Sequence, residues 1–306
     1  MKNKMEYISC IFIKEEAETR EKSLMDGVDY HTVQSALEYI QKYLDKGINK
    51  FLVFGSTSNK SVDFACTPGA IKRFIKEAKA EFGDKITLFA DVGLSPYSSD
   101  GHSTVMINGK IDYEKSYELA SKLAIAFAEA GADYVAPCLS LHEQVQIIRK
   151  ALDEKGLSKT KIMAYSAKFS SSLYGPYRQV VQSPLRGKDK KPYQTDYSDA
   201  DEALNQIKID SQQGADIVMV KPAMLYLDVV YRARQMTTLP LSVYHVSGEY
   251  SMIKAAAQKG FIDEDEVFDE VHSAFKRCDV DLVIGYAPDH FLRWNNKKRQ
   301  EYEKSK

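Results

Sequence analysis

Two lysines in this sequence each end a short apolar run, and their types and spacing are suited to covalent chemistry. Lys168 closes Lys-Ile-Met-Ala-Tyr-Ser-Ala-Lys, and Lys221 closes Asp-Ile-Val-Met-Val-Lys. An amine at the end of a buried strand loses hydration, which disfavours the ammonium form, and a second lysine nearby disfavours it further. A lysine that is neutral near neutral pH can attack a ketone and form a Schiff base. One such lysine alone would more often reach out to a surface carboxylate, whereas two at equivalent strand ends favour catalysis.

A second group of residues is suited to holding a small anionic ligand. Arg178 and Lys190 follow the run that ends at Lys168, while Ser247 and Tyr286 end two later apolar runs. Side chains of these types hold a carboxylate through charge-assisted hydrogen bonds. The competing interpretation of Arg178 and Lys190 is an ordinary solvated basic loop.

These residues lie within a regular alternation of predicted strands and helices. Apolar or β-branched runs predict strands at 7–14, 51–55, 86–92, 133–138, 161–168, 216–223, 239–247 and 281–286. Segments with helical periodicity lie between them, among them 32–44, 70–82, 113–130, 203–213 and 265–276. Strands that alternate with helices predict parallel βαβ units.

The series of strands favours one closed barrel. No linker-like tract rich in Gly, Ser or Pro interrupts it, so we predict a single α/β domain over residues 1–306, a (β/α)8 TIM barrel. The long loops at 93–112 and 174–197 directly follow strands. Loops in that position build the active face of such barrels.

The composition excludes several classes of function. The chain has 42 Lys plus Arg against 43 Asp plus Glu, a formal net charge of -1, which gives no basic field for nucleic acid. No run approaches the roughly 18 consecutive apolar residues that span a bilayer, and no signal-peptide cleavage site follows the N-terminus. We therefore expect a soluble, cytoplasmic enzyme that acts on a small molecule and involves neither nucleic acid nor a membrane.

The four cysteines indicate neither a disulfide framework nor a zinc knuckle. Cys10, Cys66, Cys138 and Cys278 are scattered and include no Cys-x-x-Cys pair. We expect each to be a small buried side chain.

Four stretches with fixed internal spacing resemble the successive signatures of one enzyme family. They are Asp-Val-Gly-Leu-Ser-Pro-Tyr-Ser-Ser-Asp-Gly-His at 91–102, Met-Ala-Tyr-Ser-Ala-Lys-Phe-Ser-Ser-Ser-Leu-Tyr-Gly-Pro-Tyr-Arg at 163–178, Val-Met-Val-Lys-Pro-Ala at 218–223 and Val-Tyr-His-Val-Ser-Gly-Glu-Tyr at 243–250. The chain thereby resembles porphobilinogen synthase, also called δ-aminolevulinate dehydratase, over about residues 51–294. The resemblance implies a (β/α)8 barrel that condenses two molecules of 5-aminolevulinate into porphobilinogen for tetrapyrrole and haem biosynthesis, with loss of two waters.

The resemblance also implies a role for each candidate residue. Lys221 matches the lysine that forms a Schiff base with the first substrate, and Lys168 matches the lysine for the second. Asp91 matches an acidic catalytic residue. The remaining matches concern the two substrate carboxylates: Ser247 and Tyr286 for the first, and Arg178, Lys190 and Gln194 around the second.

The sequence departs from the family where zinc-dependent members carry three cysteines. The matching positions are Gly93, Ser95 and Ser103, and neither glycine nor a neutral hydroxyl is a good zinc ligand. We therefore expect no catalytic zinc and no other required cofactor. Asp91, Asp100 and His102 form either an oxygen-rich cation site or a hydrogen-bonded loop. Magnesium-binding members carry a glutamate at the position of Gln206, so the sequence does not support a second metal either.

Two further departures concern the second substrate and assembly. After Ala136-Pro137 the family usually continues Ser-Asp-Met-Met-Asp-Gly-Arg, whereas this chain reads Cys-Leu-Ser-Leu-His-Glu-Gln at 138–144. This change removes an acidic residue that is a natural neighbour for the second substrate's amine. The sequence also predicts a shortened N-terminal arm, so we expect a dimer or another small homo-oligomer rather than an assured octamer.

Three functions follow as hypotheses. The first is a porphobilinogen synthase that works without zinc. The second is a repurposed member that condenses 5-aminolevulinate or a related aminoketone with a different partner in specialised metabolism. The third is a catalytically inactive barrel kept as a binding partner, and retention of both lysines argues against it.

Overall fold

The chain folds as a closed barrel of parallel strands surrounded by helices. The computed structural model describes residues 4–61, 69–185 and 190–304. Its strands are β1 (Glu6–Lys14), β2 (Glu21–Lys22), β3 (Asp29–His31), β4 (Lys50–Ser56), β5 (Thr87–Val92), β6 (Val105–Ile107), β7 (Lys110–Asp112), β8 (Tyr134–Pro137), β9 (Lys161–Lys168), β10 (Ile217–Lys221), β11 (Leu241–Tyr244) and β12 (Leu282–Gly285). The barrel runs in the order β1, β4, β5, β8, β9, β10, β11 and β12, and β12 pairs back with β1.

Helices connect the barrel strands on the outside. They are α1 (Val33–Asp45), α2 (Gly69–Phe82), α3 (Tyr113–Glu129), α4 (Gln144–Glu154), α5 (Gly175–Val180), α6 (Ala200–Gln212), α7 (Leu227–Met236), α8 (Ser247–Gln258), α9 (Glu264–Arg277) and α10 (Pro288–Lys304). None of the helices in the described part of the chain combines the length and apolar character needed to cross a bilayer.

Apolar side chains fill the barrel and the layer between strands and helices. Phe12, Phe54 and Phe89 are almost fully buried, and Phe12 and Phe54 stack with ring centroids 5.1 Å apart. The strands are buried along nearly their whole length, as expected where a closed barrel packs on one side and helices cover the other. The rigid core therefore holds the strand ends at fixed positions.

The structure confirms the predicted (β/α)8 fold, since all eight predicted strands form the barrel. Four predicted strands run past the observed C-terminal ends, those at 133–138 and 281–286 by one residue and those at 216–223 and 239–247 by two and three. β10 ends at Lys221 because Pro222 has no N–H for the ladder, and β11 ends at Tyr244. Ser247, predicted to end a strand, is instead the first residue of α8.

The two long loops contain more regular structure than the sequence predicted. The 93–112 loop includes an antiparallel hairpin of β6 and β7, and the 174–197 loop begins with α5. Residues 186–189 of the second loop lie outside the described ranges. Cys66 also lies outside them; Cys10 and Cys138 are buried as predicted, but Cys278 is only half-buried.

Candidate active site

The two candidate lysines lie side by side at the carboxyl-end mouth of the barrel. Lys168 ends β9 and Lys221 ends β10, and the two residues are direct partners in the parallel ladder. In-register partners on adjacent strands project to the same side of a sheet. Both side chains are buried, with 5% and 7% of their surface exposed. The structure thus brings together the pair that the sequence suggested.

An irregularity in β9 makes this pairing possible. Val218 of β10 pairs with Ala164 and Val220 pairs with Ala167, so β9 has one residue more than β10 over this interval. The extra residue is a β-bulge, which changes the side to which the following side chains point. Lys168 therefore faces the interior beside Lys221.

Tyrosine rings surround the Lys221 amine. Its Nζ lies 4.1 Å from the centroid of the Tyr244 ring, 4.9 Å from that of Tyr165, 5.3 Å from that of Tyr174 and 5.5 Å from that of Tyr177. Aromatic faces attract a cation and exclude water. The rings partly offset the hydration that the Lys221 ammonium group loses, but they do not compensate for it fully.

Burial lowers the pKa of Lys221 to about 7, and the positive charge of Lys168 acts in the same direction. The negative charge of Asp91 opposes this shift. Near neutral pH a substantial fraction of the Lys221 amine is therefore unprotonated. That form is the nucleophile required for attack on a ketone.

Lys168 is held by the loop that follows β8. Its Nζ donates a hydrogen bond to the main-chain oxygen of Cys138 at 2.6 Å. The Cys138 thiol in turn contacts Asp91, with Sγ 3.8 Å from Oδ2. Burial raises the pKa of the Asp91 carboxyl, while the charges of Lys221 and Lys168 act to lower it. A buried carboxyl that interacts with two lysines is suited to proton transfer.

Cys138, on the loop that follows β8, occupies the space that a side chain at position 93 would need. A Cβ atom on Gly93 would lie 2.5 Å from the Cys138 Sγ and 2.9 Å from the Asp91 Oδ2. Only glycine at position 93 leaves room for this thiol. Ser95 and Ser103, the other two positions of the metal loop, are buried and line the lysine cavity.

The donors around this loop do not fit a zinc ion. Gly93 offers no side-chain ligand, and Ser103 Oγ accepts a hydrogen bond from Lys190 Nζ at 3.1 Å. Within the described ranges no three His, Cys, Asp or Glu side chains are grouped closely enough to hold a metal. The neighbouring Asp100 and His102 belong to a hydrogen-bonded loop, in which His102 N donates to Asp100 at 2.9 Å and His102 Nδ1 lies 3.1 Å from the Tyr193 hydroxyl.

Gln206, at the second position considered for a metal, is also engaged by protein groups. Its Oε1 lies 2.6 Å from His142 Nδ1, and its Nε2 donates to Asp210 Oδ1 at 2.7 Å.

The predicted groups for the second carboxylate line the same cavity as the lysines. Arg178 projects from α5, and Lys190 and Gln194 lie on the loop before α6. Burial and then the charge of Lys168 hold the pKa of Lys190 well below its usual range. Gln194 Oε1 is buried without a hydrogen-bond partner among the described residues, which leaves an acceptor for a ligand.

Ser247 and Tyr286 lie behind the tyrosine rings rather than on the walls of this cavity. Ser247 Oγ accepts a hydrogen bond from Tyr177 N at 2.9 Å. The Tyr286 hydroxyl lies 2.8 Å from that of Tyr244, which lies 3.4 Å from the Cys10 sulfur. Tyr286 is therefore separated from Lys221 by the Tyr244 ring, whereas Ser247 bonds to the main chain of the segment that contributes Tyr177.

Sequence reasoning missed Glu249, which joins two parts of the site. Its Oε1 accepts hydrogen bonds from Ala223 N at 3.1 Å and Met224 N at 2.6 Å, and its Oε2 accepts one from Val246 N at 2.7 Å. The carboxylate ties the loop after Lys221 to the start of α8. A glutamate at the third position of a helix is a capping signal, but the sequence analysis predicted a strand up to Ser247 and no helix after it.

A closed ring of parallel strands with ionisable side chains gathered at the carboxyl ends defines the chain as a (β/α)8-barrel enzyme. Residues 2–294 match the protein-family model described as delta-aminolevulinic acid dehydratase. The chain belongs to that family of lyases, as the resemblance in the sequence indicated.

Similar proteins support the same assignment. The delta-aminolevulinic acid dehydratase of Archaeoglobus fulgidus is 37% identical over 284 residues, which cover 91% of this chain and 87% of that protein. The protein of the same name from Methanothermobacter thermautotrophicus is 38% identical, with 87% and 82% of the two chains covered. The Toxoplasma gondii enzyme, solved in complex with its product porphobilinogen, superposes with a TM-score of 0.91 at 37% identity, covering 96% of this chain and 86% of that one.

A more distant similarity concerns the fold alone. Dihydropteroate synthase from Stenotrophomonas maltophilia superposes with a TM-score of 0.56 at 10% identity, covering 99% of this chain and 94% of that chain.

Proposed function

We propose that this chain condenses two molecules of 5-aminolevulinate into porphobilinogen. The observation that carries the proposal is the pair of buried, register-matched lysines at the barrel mouth. Two ketones can be activated side by side only where two amines lie side by side. Family membership indicates which reaction the chain catalyses, and the lysine pair indicates how the two ketones are activated.

Lys221 forms the first Schiff base because its amine is partly unprotonated near neutral pH. Ser247 and Tyr286 hold the carboxylate of this first substrate once the tyrosine rings around Lys221 have moved aside for it. The tyrosine walls keep water from the imine, which would otherwise hydrolyse it.

Lys168 forms the second Schiff base, next to the first. Arg178 and Lys190 hold the second carboxylate through charge-assisted hydrogen bonds, while the free Oε1 of Gln194 accepts a hydrogen bond from a donor group of the same substrate. Asp91, a buried carboxyl that interacts electrostatically with both lysines, accepts and returns the protons that carbon–carbon bond formation releases. Holding both ketones in one cavity replaces a bimolecular encounter with an intramolecular step.

The reaction proceeds without the zinc used by part of the family, and no other cofactor is required. Glycine and two serines stand at the positions of the zinc ligands, and Lys190 already uses one of those serines. Lys190 and Arg178 then orient the second substrate, and Asp91 transfers the protons. We further propose that the enzyme is cytoplasmic and works as a small homo-oligomer.

The direct test is a pyrrole assay on chelator-treated protein with 5-aminolevulinate. We expect porphobilinogen to form at a rate that added zinc or magnesium does not change. No product with or without added metal would reject the proposed function. Activity that appears only with added metal would reject metal independence while leaving the reaction in place.

A further inference from the structure

A chain of polar side chains runs from the protein surface to the interior beside β9. His142 Nδ1 lies 2.6 Å from Gln206 Oε1, and Gln206 Nε2 donates a hydrogen bond to Asp210 Oδ1 at 2.7 Å. An amide oxygen only accepts, so the imidazole donates to it. His142 is exposed, whereas Gln206 and Asp210 are buried on successive turns of α6. We call these three side chains the polar bridge; none of them lines the lysine cavity.

The interior end of the polar bridge faces the β-bulge in β9. Asp210 lies on α6, which packs directly against β9. Burial raises the pKa of the Asp210 carboxyl to about 7, and the Ser166 hydroxyl acts to lower it, which requires the two groups to be close. Ser166 lies within the bulge, where its Oγ donates to Ala164 O at 3.4 Å. This bulge is the feature that turns Lys168 toward the cavity.

The surface end of the polar bridge holds the loop that binds the Lys168 amine. His142 lies four residues after Cys138, whose main-chain oxygen accepts a hydrogen bond from Lys168 Nζ at 2.6 Å. Between them Ser140 has a φ of +63°, a left-handed conformation that is uncommon for a residue with a side chain. Backbone of this kind persists only where surrounding contacts hold it in place. The hydrogen bond of His142 to Gln206 is one such contact.

The polar bridge lowers the stability of the fold relative to an apolar packing. Asp210 Oδ2 is buried without a hydrogen-bond partner among the described residues. A buried oxygen in that state destabilises the native structure, whereas an apolar side chain of similar size would avoid the loss. Departures from good packing of this kind concentrate at functional sites.

We propose that Gln206 and Asp210 are positioning residues for Lys168. Through the polar bridge they hold the β9 bulge and the loop after β8 in the arrangement that presents the Lys168 amine to the second ketone. This inference rests on the proposed function, in which Lys168 forms the second Schiff base. Lys221 depends less on the bridge, because three of the four tyrosine rings around it come from outside β9.

The first experiment follows the two Schiff bases separately. Protein is mixed with 5-aminolevulinate, quenched with borohydride at set times and digested, and peptide mass spectrometry gives the trapping rate at each lysine. In Asp210→Leu we expect the Lys168 rate to fall about tenfold or more, because small misplacements of a reacting group cost large factors in rate. The Lys221 rate should stay close to that of the wild type, and kcat for porphobilinogen should fall with the Lys168 rate. Equal losses at both lysines would contradict the inference.

A conservative variant tests whether the hydrogen bond itself matters. Asp210→Asn keeps nearly the same shape and still accepts from Gln206 Nε2, so it should retain the Lys168 rate of the wild type. Gln206→Leu breaks both hydrogen bonds of the bridge and should reproduce the selective loss of Asp210→Leu. The inference is wrong if Asp210→Asn loses as much of the Lys168 rate as Asp210→Leu.

Two further variants separate positioning from general damage to the fold. Ile207 is buried on α6, and Ile207→Ala weakens the packing of this helix without removing a group of the bridge. It should lower the denaturation midpoint while changing both trapping rates by the same factor. His142→Ala alters an exposed residue and leaves the core intact, yet it should lower the Lys168 rate selectively by about three- to tenfold, as expected for one hydrogen bond. A selective loss in Ile207→Ala, or none in His142→Ala, would overturn the inference.

The outcomes also separate this inference from the proposed function. Selective loss at Lys168 with a parallel loss of porphobilinogen supports both. Porphobilinogen formation by the wild type, with no selective effect in the variants of the bridge, supports the function and overturns the inference. If the wild type forms neither adduct and no pyrrole, the proposed function is wrong and the inference fails with it.

Discussion

Lys221 is the side chain on which the first covalent step of the proposed mechanism depends. We predict that Lys221→Ala abolishes the first of the two 5-aminolevulinate adducts trapped by borohydride, because the buried neutral amine is lost. Lys168→Ala should retain one adduct while forming no pyrrole. Intact-mass spectrometry counts the adducts directly.

A lysine elsewhere on the same sheet serves as the control. Lys161 is the exposed first residue of β9, at the opposite end of the strand from Lys168. Lys161→Ala should leave both adducts and the activity in place. Full activity in Lys221→Ala would show that the proposed mechanism is wrong.

The pKa of Lys221 also gives a pH dependence. Because burial lowers this pKa to about 7, the rate of adduct formation should rise as the pH increases through that value and then level off. Asp91 favours the ammonium form, so Asp91→Asn should lower the pKa further and move the midpoint to lower pH. Trapping rates measured across a pH series give the midpoint.

The exposed Asp265 on α9 provides the matched control, since Asp265→Asn removes an equal charge from a side chain that pairs with His290 and Arg293 and does not line the lysine cavity. A midpoint that shifts equally in both variants would mean that Asp91 has no specific effect on Lys221.

The position of Cys138 makes Gly93 sensitive to substitution. A Cβ at position 93 would lie 2.5 Å from the sulfur, so Gly93→Ala should lower the free energy of unfolding by about 1–3 kcal/mol. Cys138→Ala removes the sulfur and should restore much of this loss in the double variant. Chemical denaturation of the two single variants and the double variant measures the coupling.

Cys278 lies at the end of α9, away from Gly93, and is the matched cysteine. The effects of Gly93→Ala and Cys278→Ala should simply add. If Gly93→Ala lowers the free energy of unfolding by the same amount in the Cys138→Ala and Cys278→Ala variants, the contact with Cys138 has no energetic importance.

At the scale of elements, Glu249 connects the loop after β10 with the start of α8. Glu249→Ala leaves three buried N–H groups without their acceptor, so we expect a loss of about 2–4 kcal/mol in the free energy of unfolding. The displaced loop should also slow adduct formation at Lys221. Denaturation and trapping measure the two effects separately.

Glu266 is the matched control because it occupies the same third position of α9 but is exposed. Glu266→Ala should change the free energy of unfolding by less than about 0.5 kcal/mol. Similar losses in both variants would indicate that helix capping alone, rather than the link to the Lys221 loop, explains the result.

The sequence predicted the elements and the lysine pair, but it could not predict how β9 presents Lys168. Strict alternation along β9 from Met163 would point Ala167 inward and Lys168 toward the helices. The bulge between Ala164 and Ala167 reverses this order. A bulge depends on pairing with the neighbouring strand, and a single strand's sequence does not reveal it.

Contacts between distant residues were likewise not predictable. The four tyrosines around Lys221 come from three different segments of the chain, and Cys138 meets Gly93 only because β5 and β8 are adjacent in the barrel. The family resemblance supplied candidate substrate-binding residues, yet two of them, Ser247 and Tyr286, are not among the residues that line the lysine cavity. Local patterns determine which residues end a strand, while the folded packing determines what each one touches.

At the scale of the whole molecule, strand pairing alone closes the barrel. The ring closes by pairing between β12 and β1, and the core is continuous. We predict that neither chelator treatment nor added zinc changes the melting temperature, because an ion that binds the native state would raise it. A clear rise with zinc would show that the chain contains a metal site after all.

Assembly can be measured on the same preparation. Several large apolar side chains are well exposed, including Leu24, Leu225 and Phe261. Because such residues are often covered by a partner surface, we expect light scattering to give the mass of at least two chains. A mass of one chain across the accessible concentrations would contradict the homo-oligomer.

The placement of the aromatic residues also separates two optical signals. Four tyrosine rings lie within 5.5 Å of the Lys221 amine, so formation of an imine there should change tyrosine absorption. The single tryptophan, Trp294, is buried on α10 against His272 and Phe291. Its fluorescence should follow unfolding of the C-terminal helix rather than ligand binding. The unmodified protein therefore provides one spectroscopic probe for its chemistry and a second for its folding.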